Sequence, residues 1–287
     1  MKFLNSIGGQ TIWLSVLFCL LISLPAGEVM GQRAIKLALG SGTTYYQGDI
    51  TDGFDNSLYR PTISFSVANY VGPYVSFRGE ITQGWIGAAD SLVTDPIRNQ
   101  RNLSFRSPIT DFSFQLVVDF LEDRSINKAY GRSTHFTPYG FVGFGGFFMN
   151  PQGLFQGVWY DLHSLGTEGQ YLVGSTIEPY SKFQLNVPFG LGIEYRATKH
   201  WGFQVEASYR YTFTDYIDDV STVYPSQELL RDQNPIAAFF ANPSSNPDLF
   251  IDGSPRGNPR LLDAYFFANV KLVYFFEEVS RYSRCFR

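Results

Sequence analysis

The sequence predicts an all-β fold: an eight-stranded antiparallel transmembrane β-barrel with long extracellular loops and short periplasmic turns. Three observations predict it. The N-terminus has the pattern of a secretory signal, eight later segments alternate apolar and polar side chains, and the connections between those segments alternate between long and short. Aromatic residues make up 17% of the chain, and no apolar run after the signal is long enough for a membrane-spanning helix.

The first element is a signal peptide. Lys2 precedes an apolar run at 12–24, and a short segment with small residues follows and ends at Gly31. The run is too short for a comfortable membrane span, so we expect cleavage near Gly31. The predicted organisation is a signal peptide at 1–31, an outer-membrane barrel at 32–276 and a periplasmic tail at 277–287.

The strands follow from period-2 alternation in eight segments. They lie near 34–40, 62–67, 75–82, 112–120, 139–148, 183–194, 203–213 and 266–276. The fourth is the clearest, with Phe112, Phe114 and Leu116 on one face and Ser113 and Gln115 on the other. In the fifth, four glycines dilute the alternation and permit bending and close approach of side chains across a narrow barrel.

Connection lengths predict the orientation of the barrel. The long connections are 48–60, 84–110, 150–182 and 215–262, whereas 69–73 and 196–201 are short and 122–136 is intermediate. Long loops of such barrels face outside and short turns face the periplasm, so an even strand number places both termini in the periplasm. The expected location is the outer membrane.

The strands of a secreted β-sandwich or lipocalin-like barrel also alternate apolar and polar side chains. In those folds the apolar face points inward and the solvent-exposed face is rich in charged residues. Here the polar faces contain few charged residues and the apolar faces are rich in Phe and Tyr, which favours lipid outside and a tight polar interior. The net charge of −4 provides no broad basic surface, which argues against nucleic acid as a partner.

Charged side chains of both signs fall on the predicted inner faces. An eight-stranded lumen is only wide enough for side chains, so we expect them to form an ion-paired network that fills it, rather than a pore or a proton path. The predicted lumen network comprises Lys36, Arg78, Glu80, Asp119, Glu194, Glu206, Arg210 and Lys271.

Candidate chemistry in the loops is sparse, and no catalytic residue, cofactor or metal is expected. His163 and Ser164 suggest a lipid hydrolase, but adjacent residues point apart, so a solvated histidine is favoured. Asp215, Asp218 and Asp219 are weak calcium candidates; capping and local hydrogen bonding are favoured for them.

The tail contains Cys285, the one cysteine that remains after signal removal, among arginines and aromatics. Such residue types anchor interfaces, and an exposed thiol in an oxidising compartment tends to be bridged. We therefore expect the tail to bind a periplasmic partner, through an intermolecular disulfide at Cys285 and contacts of Arg281, Tyr282, Arg284 and Phe286.

The segment 212–221 (TFTDYIDDVS), followed by 256–259 (RGNP) and 263–267 (DAYFF), resembles the closing hairpin of the PorG-like outer-membrane barrels of Bacteroidota; the early segment 40–49 (GSGTTYYQGD) agrees with it. The resemblance implies a non-enzymatic component of the type IX protein secretion system, with a further role in gliding motility. In that role the barrel docks a periplasmic ring, formed by a lipoprotein and its companion subunit, to the outer membrane.

Two departures from the family stand out: an insert at 225–255 in the last outer loop and a tail beyond Phe276. Two further functions stay open. One is a stand-alone barrel that binds a ligand or surface partner through its extracellular loops, and the other is a lipid-modifying enzyme.

Overall fold

In the computed structural model, the described residues are 34–51, 59–72, 74–121, 136–244 and 246–277, so the predicted signal peptide and all of the tail except Glu277 lie outside them. Eight long strands form the body of the protein: β1 (Ala34–Gln47), β2 (Arg60–Tyr70), β3 (Val75–Ala89), β4 (Ser104–Asp119), β5 (Phe136–Met149), β8 (Phe183–Arg196), β9 (Trp201–Thr212) and β10 (Ala264–Glu277). Each pairs antiparallel with two neighbours in the order β1-β2-β3-β4-β5-β8-β9-β10, and β10 pairs with β1. This closed ring confirms the predicted eight-stranded antiparallel barrel.

The strands form because their alternation lets every second side chain enter the lumen. In β9, buried and exposed residues alternate over most of the strand. The outward side chains are large and apolar, and examples such as Phe144, Leu191 and Val205 are 68%, 62% and 60% exposed. So extensive an apolar exterior is unusual for a soluble monomer and is typical of a surface that contacts lipid.

The β3–β4 hairpin extends further than the sequence pattern indicates. Its pairing continues from Gly84↔Ile109 to Ala89↔Ser104, so the expected loop at 84–110 shrinks to 90–103. The reason is burial: Ile86 and Phe105 pack inside the loop-bearing end of the barrel. The remaining loop contains a 3₁₀ turn (Asp90–Leu92) and helix α1 (Pro96–Arg101).

The other long loops also contain regular structure. The loop after β5 forms a hairpin of β6 (Gln152–Phe155) and β7 (Val158–Asp161), followed by helix α2 (Leu162–Leu165). The last loop contains helices α3 (Gln227–Gln233) and α4 (Pro235–Ala241) and a 3₁₀ turn at Pro247–Leu249. None of the helices in the described part of the chain is long and apolar enough to cross a membrane.

We call the end of the barrel that carries these loops the loop end, and the opposite end the turn end. The described parts of the long loops (48–51, 90–103, 150–182 and 213–263) fold together over the loop end, and we call this layer the cap. Its core is an apolar and aromatic cluster that continues into the upper lumen and includes Tyr46, Ile86, Phe147, Ile217, Phe240 and Tyr265.

Candidate functional site

The middle of the lumen is occupied by two cations and two carboxylates from β3, β9 and β10. Arg78 Nη1 lies 2.5 Å from Glu206 Oε2, and Lys271 Nζ lies 2.9 Å from Glu206 Oε1. Lys271 also pairs with Glu80, and Arg78 Nε donates to Gln115 Oε1 at 2.7 Å. All five side chains are buried, and the charges of the four ions balance. A buried pair is stable only when its charges are compensated in this way.

Towards the loop end, Arg210 is the central cation. Its Nε lies 3.3 Å from Asp111 Oδ1 and its Nη2 3.7 Å from Glu80 Oε1. The second Asp111 oxygen accepts hydrogen bonds from Asn186 Nδ2 at 2.6 Å and from the Tyr265 hydroxyl at 2.8 Å. Sequence reasoning missed Asp111 because it falls between the predicted loop at 84–110 and the first alternating residue, Phe112. The signal was present, since Asp111 shares the face of Ser113.

Towards the turn end, Lys36 Nζ lies 2.8 Å from Glu194 Oε2, which also accepts from Gln204 Nε2 at 2.8 Å. Asp119 accepts from the Tyr70 hydroxyl at 2.8 Å. All eight residues of the predicted lumen network therefore have buried side chains in the barrel interior. Together with Asp111 they comprise four cations and five carboxylates, distributed along the lumen.

The cap is tied together by two buried arginines. Arg101 binds both oxygens of Asp90 at 2.7 Å and donates to the carbonyl oxygens of Asp49 and Arg256, each at 2.9 Å. It thereby connects the first, second and last outer loops. A bidentate guanidinium–carboxylate contact fixes direction as well as distance, which suits a joint between irregular segments.

Arg256 makes the second joint. Its Nη1 lies 3.1 Å from Glu168 Oε1 and 2.5 Å from the carbonyl oxygen of Asp219. Glu168 in turn accepts from the backbone N–H groups of Ser221 and Thr222 at 2.8 Å and 3.1 Å. These bonds connect the third outer loop to the last one and satisfy buried backbone donors that no strand pairs.

The aspartates considered for calcium lie in this cap, where two of them accept hydrogen bonds. Asp218 accepts from the Val220 N–H at 2.9 Å, two residues ahead, as in an Asx turn, and Asp219 accepts from the Tyr180 hydroxyl at 2.7 Å. Burial raises the pKa of Asp215 to about 7 and that of Asp219 to about 6. Within the described residues, no three His, Cys, Asp or Glu side chains form a group that could hold a metal ion.

Tyr46 bridges two of these acids. Its hydroxyl lies 2.7 Å from Asp218 Oδ2 and 2.6 Å from Asp263 Oδ1, and Asp263 Oδ2 also accepts from the Ile217 N–H at 2.8 Å. A phenol has one proton, so it donates to one carboxyl group and accepts from the other. Burial raises the pKa of both Asp218 and Asp263 well above the usual range. The raised pKa of both acids favours the protonated carboxyl group that this pair of hydrogen bonds needs.

His163 and Ser164 point to different partners. His163 Nε2 lies 2.8 Å from the Tyr180 carbonyl oxygen, whereas Ser164 Oγ donates to the carbonyl oxygen of Asp161 at 2.8 Å. The two side chains are not hydrogen-bonded to each other, so this geometry offers no nucleophile–base pair. The predicted partner-binding residues Arg281, Tyr282, Arg284, Cys285 and Phe286 lie outside the described residues.

Comparisons with solved structures find similar structures at low sequence identity. The N-terminal β-barrel domain of Pseudomonas aeruginosa OprF is 8% identical, with 86% of this chain and 100% of that chain covered and a TM-score of 0.39. Neisserial surface protein A is 6% identical, with 85% and 99% covered and a TM-score of 0.43. Ail of Yersinia pestis is 8% identical, with 85% and 99% covered and a TM-score of 0.40. These likenesses concern the fold alone.

No curated protein matches the sequence. One family does match, over residues 12–234, and its description is a domain of unknown function, DUF6089. The match covers well over half of the chain and includes the barrel strands from β1 to β9. The chain therefore belongs to the DUF6089 family.

Proposed function

We propose that this protein is a non-enzymatic outer-membrane barrel that anchors a periplasmic ring, built from a lipoprotein and its companion subunit, of the type IX protein secretion machinery. The observation that carries the proposal is the filled lumen. Arg78, Glu80, Glu206 and Lys271 occupy its middle as a charge-balanced cluster. A barrel closed in this way has its two ends and its lipid-facing exterior left for function, which suits an anchor better than a pore.

The outer-membrane location is supported by the apolar exterior, which includes exposed Phe, Leu, Ile and Val on all eight long strands. The orientation is supported by connection lengths: four residues separate β2 from β3 and four separate β8 from β9, whereas the cap loops are long and structured. Short turns of bacterial barrels face the periplasm. In that orientation both termini reach the compartment in which a ring subunit would bind.

The choice of machinery is supported by the resemblance of the closing hairpin to PorG-like barrels. The residues that carry it have structural roles in this chain: Asp218 and Asp263 bind Tyr46, and Arg256 binds Glu168. They hold the last loop onto the barrel and would preserve the shape of the protein rather than contact the ring. The ring would bind the turn end and the tail, with Cys285 as the covalent contact.

The proposal is tested by non-reducing gels of cell envelopes from wild type and Cys285→Ser cells. We expect a reducible higher-mass band that contains a periplasmic lipoprotein in wild type and not in the variant. A matched control places the single thiol at the loop end of the barrel instead of in the tail. It is the double variant Ser175→Cys/Cys285→Ser, since Ser175 is exposed in the third outer loop. The band should stay absent there. Identical bands in all three strains, with normal secretion of cargo after gene deletion, would contradict the anchoring role.

The alternative function, a barrel that binds a surface ligand through its loops, is favoured by one observation. The cap is not a set of loose loops but a layer joined by the buried arginines Arg101 and Arg256. A preorganised surface binds with a smaller loss of conformational entropy. Pull-downs distinguish the two functions, because anchoring predicts periplasmic partners and surface binding predicts external ones.

A further inference from the structure

The outward face of the β6–β7 hairpin forms a surface distinct from the cap core. Gly153 and Phe155 face Phe240 inside the cap, so the alternate residues Leu154 and Trp159 point away from it and are 48% and 39% exposed. The hairpin is joined to the barrel wall through the pairing Arg106↔Gln152. It therefore extends the outer surface of β4 beyond the loop end of the barrel.

Two cations lie on this surface. The Arg106 guanidinium stacks on the Trp159 ring at 3.5 Å from its centroid, and Arg106 Nε donates to Gln152 Oε1 at 3.2 Å. Lys182 Nζ donates to Asn150 Oδ1 at 2.6 Å and to Asp161 Oδ2 at 2.7 Å, in a pair that is about one third exposed. A guanidinium has five N–H donors and an ammonium three, so donors remain on both cations beyond these bonds.

The same surface continues directly into the apolar exterior of the barrel. Phe183, next to Lys182, packs at 5.1 Å from Phe148 and 6.4 Å from Phe112, and all three rings lie on the outside of the strands. Thr110 is paired with Phe148, so Arg106 lies four residues further along β4, about 13 Å at 3.3 Å per residue. Aromatic rings followed by cations at this spacing match a lipid whose acyl chains end in an anionic headgroup.

We propose that this surface binds a phosphorylated glycolipid of the outer leaflet. Arg106 and Lys182 contact the headgroup phosphate, the indole of Trp159 packs on the sugar, and the cluster Phe112, Phe148 and Phe183 contacts the acyl chains. The Lys182–Asp161 pair reaches solvent, with about one third of each side chain exposed, and such pairs contribute little to stability, so Lys182 is able to exchange Asp161 for a phosphate. The inference rests on the proposed outer-membrane location and orientation, and it adds a lipid ligand to the anchoring function.

The test is native mass spectrometry of the detergent-purified full mature chain with bisphosphorylated lipid A, with its dephosphorylated form, and with inorganic phosphate as competitor. We expect the wild type to retain phosphorylated lipid A at least about tenfold more tightly than the dephosphorylated form. The double variant Arg106→Gln/Lys182→Gln should lose this preference. Arg231→Gln, which removes an exposed cation of the last loop, should keep it.

The conservative double variant Arg106→Lys/Lys182→Arg should restore the preference to within about threefold of wild type, because both charges are kept. Each variant is first checked for the unheated gel mobility of the folded barrel. Unchanged lipid retention in the glutamine variant would overturn the proposal, and so would displacement of the lipid by inorganic phosphate, which would indicate a site for the free ion. Cell fractionation tests the outer-membrane location separately, so failure of the proposed function is distinguishable from failure of the lipid site.

Discussion

Arg210 illustrates what a single buried cation contributes to this barrel. Its side chain is fully buried and contacts Asp111 and Glu80. Of the carboxylates in the predicted lumen network, Glu80 is thus a partner of Arg210 and Glu206 is not. Glu206 lies four residues away on the same strand, about 13 Å distant, and instead binds Arg78 and Lys271. The direction of Arg210 was thus predictable from alternation, whereas its partner was set by pairing across the lumen.

We predict that Arg210→Met destabilises the barrel by about 3–5 kcal/mol, because Asp111 and Glu80 lose a buried counter-charge. Urea unfolding in detergent measures the change. Arg231→Met is the matched control, since Arg231 is exposed in the cap, and should change stability by less than about 0.5 kcal/mol. An unfolding midpoint equal to that of wild type would mean that Arg210 is not an essential counter-ion.

The acids of the cap predict a pH dependence. Burial raises the pKa of Asp215 to about 7 and of Asp219 to about 6, from an ordinary value of 3.8. A carboxyl group with a raised pKa binds its proton more tightly in the closed cap than in the open one. The contribution of these two acids to the stability of the closed cap is therefore fully present below about pH 4, and it is lost as the pH rises through about 6 for Asp219 and about 7 for Asp215.

We expect limited proteolysis of the last loop to be faster at pH 8 than at pH 5. Asp215→Asn, which mimics the protonated acid, should slow cleavage at pH 8 and make the cleavage rate less dependent on pH. Asp232→Asn, at an exposed acid on α3, is the control and should leave the profile unchanged. A wild-type cleavage rate that does not change with pH, or that rises towards low pH, would contradict the role of these acids in closing the cap.

At the scale of elements, the eight long strands were predictable because lipid outside and polar groups inside impose a strict period of two. The β6–β7 hairpin was missed, since its strands are four residues each. The only sequence signal was Gly157, and the φ values of 49° at Gln156 and 81° at Gly157 are both positive, as a two-residue type I′ turn requires. Helices α3 and α4 have seven residues each, and the small cluster of Leu230, Ala237, Ala238 and Ala241 that they bury, rather than periodicity, accounts for them.

The glycines of β5 yield a prediction at this scale. A Cβ at Gly143 would lie 2.2 Å from the Phe114 carbonyl oxygen of the paired strand, whereas a Cβ at Gly72, in a turn, would meet nothing within 4 Å. We expect Gly143→Ala to destabilise the barrel by about 1–3 kcal/mol because the two strands must separate. Gly72→Ala is the control and should be near neutral. Equal unfolding midpoints for the two variants would show that β4 and β5 adapt without cost.

At the scale of the whole molecule, the polar network and the apolar exterior make different demands on the environment. The network needs a dry, narrow lumen, and the exterior needs lipid or detergent. We therefore predict that the purified mature chain is monodisperse only in detergent, has β-type circular dichroism and migrates faster on gels when unheated. A stable monomer in plain buffer would contradict the membrane location.

The side chains of the lumen and the loops of the cap both lie across the path of ions along the barrel axis. A deletion in the cap can distinguish their contributions. Val223 and Pro255 form an antiparallel bridge, and Tyr224 and Ser254 are hydrogen-bonded beside it. The segment between these residues can therefore be excised and replaced by a short glycine linker without moving its ends apart. Such a deletion removes α3 and α4 from the cap and leaves the charged residues of the lumen in place.

We predict no steady large conductance in planar bilayers for either the wild type or this deletion. Side chains fill an eight-stranded lumen, and buried ion pairs such as Arg78–Glu206 are only weakly screened by the high salt of the recording solution. If the deletion alone conducts, the cap rather than the lumen is the barrier. If the wild type conducts as well, the lumen is a pore, and this protein does not act through its ends alone.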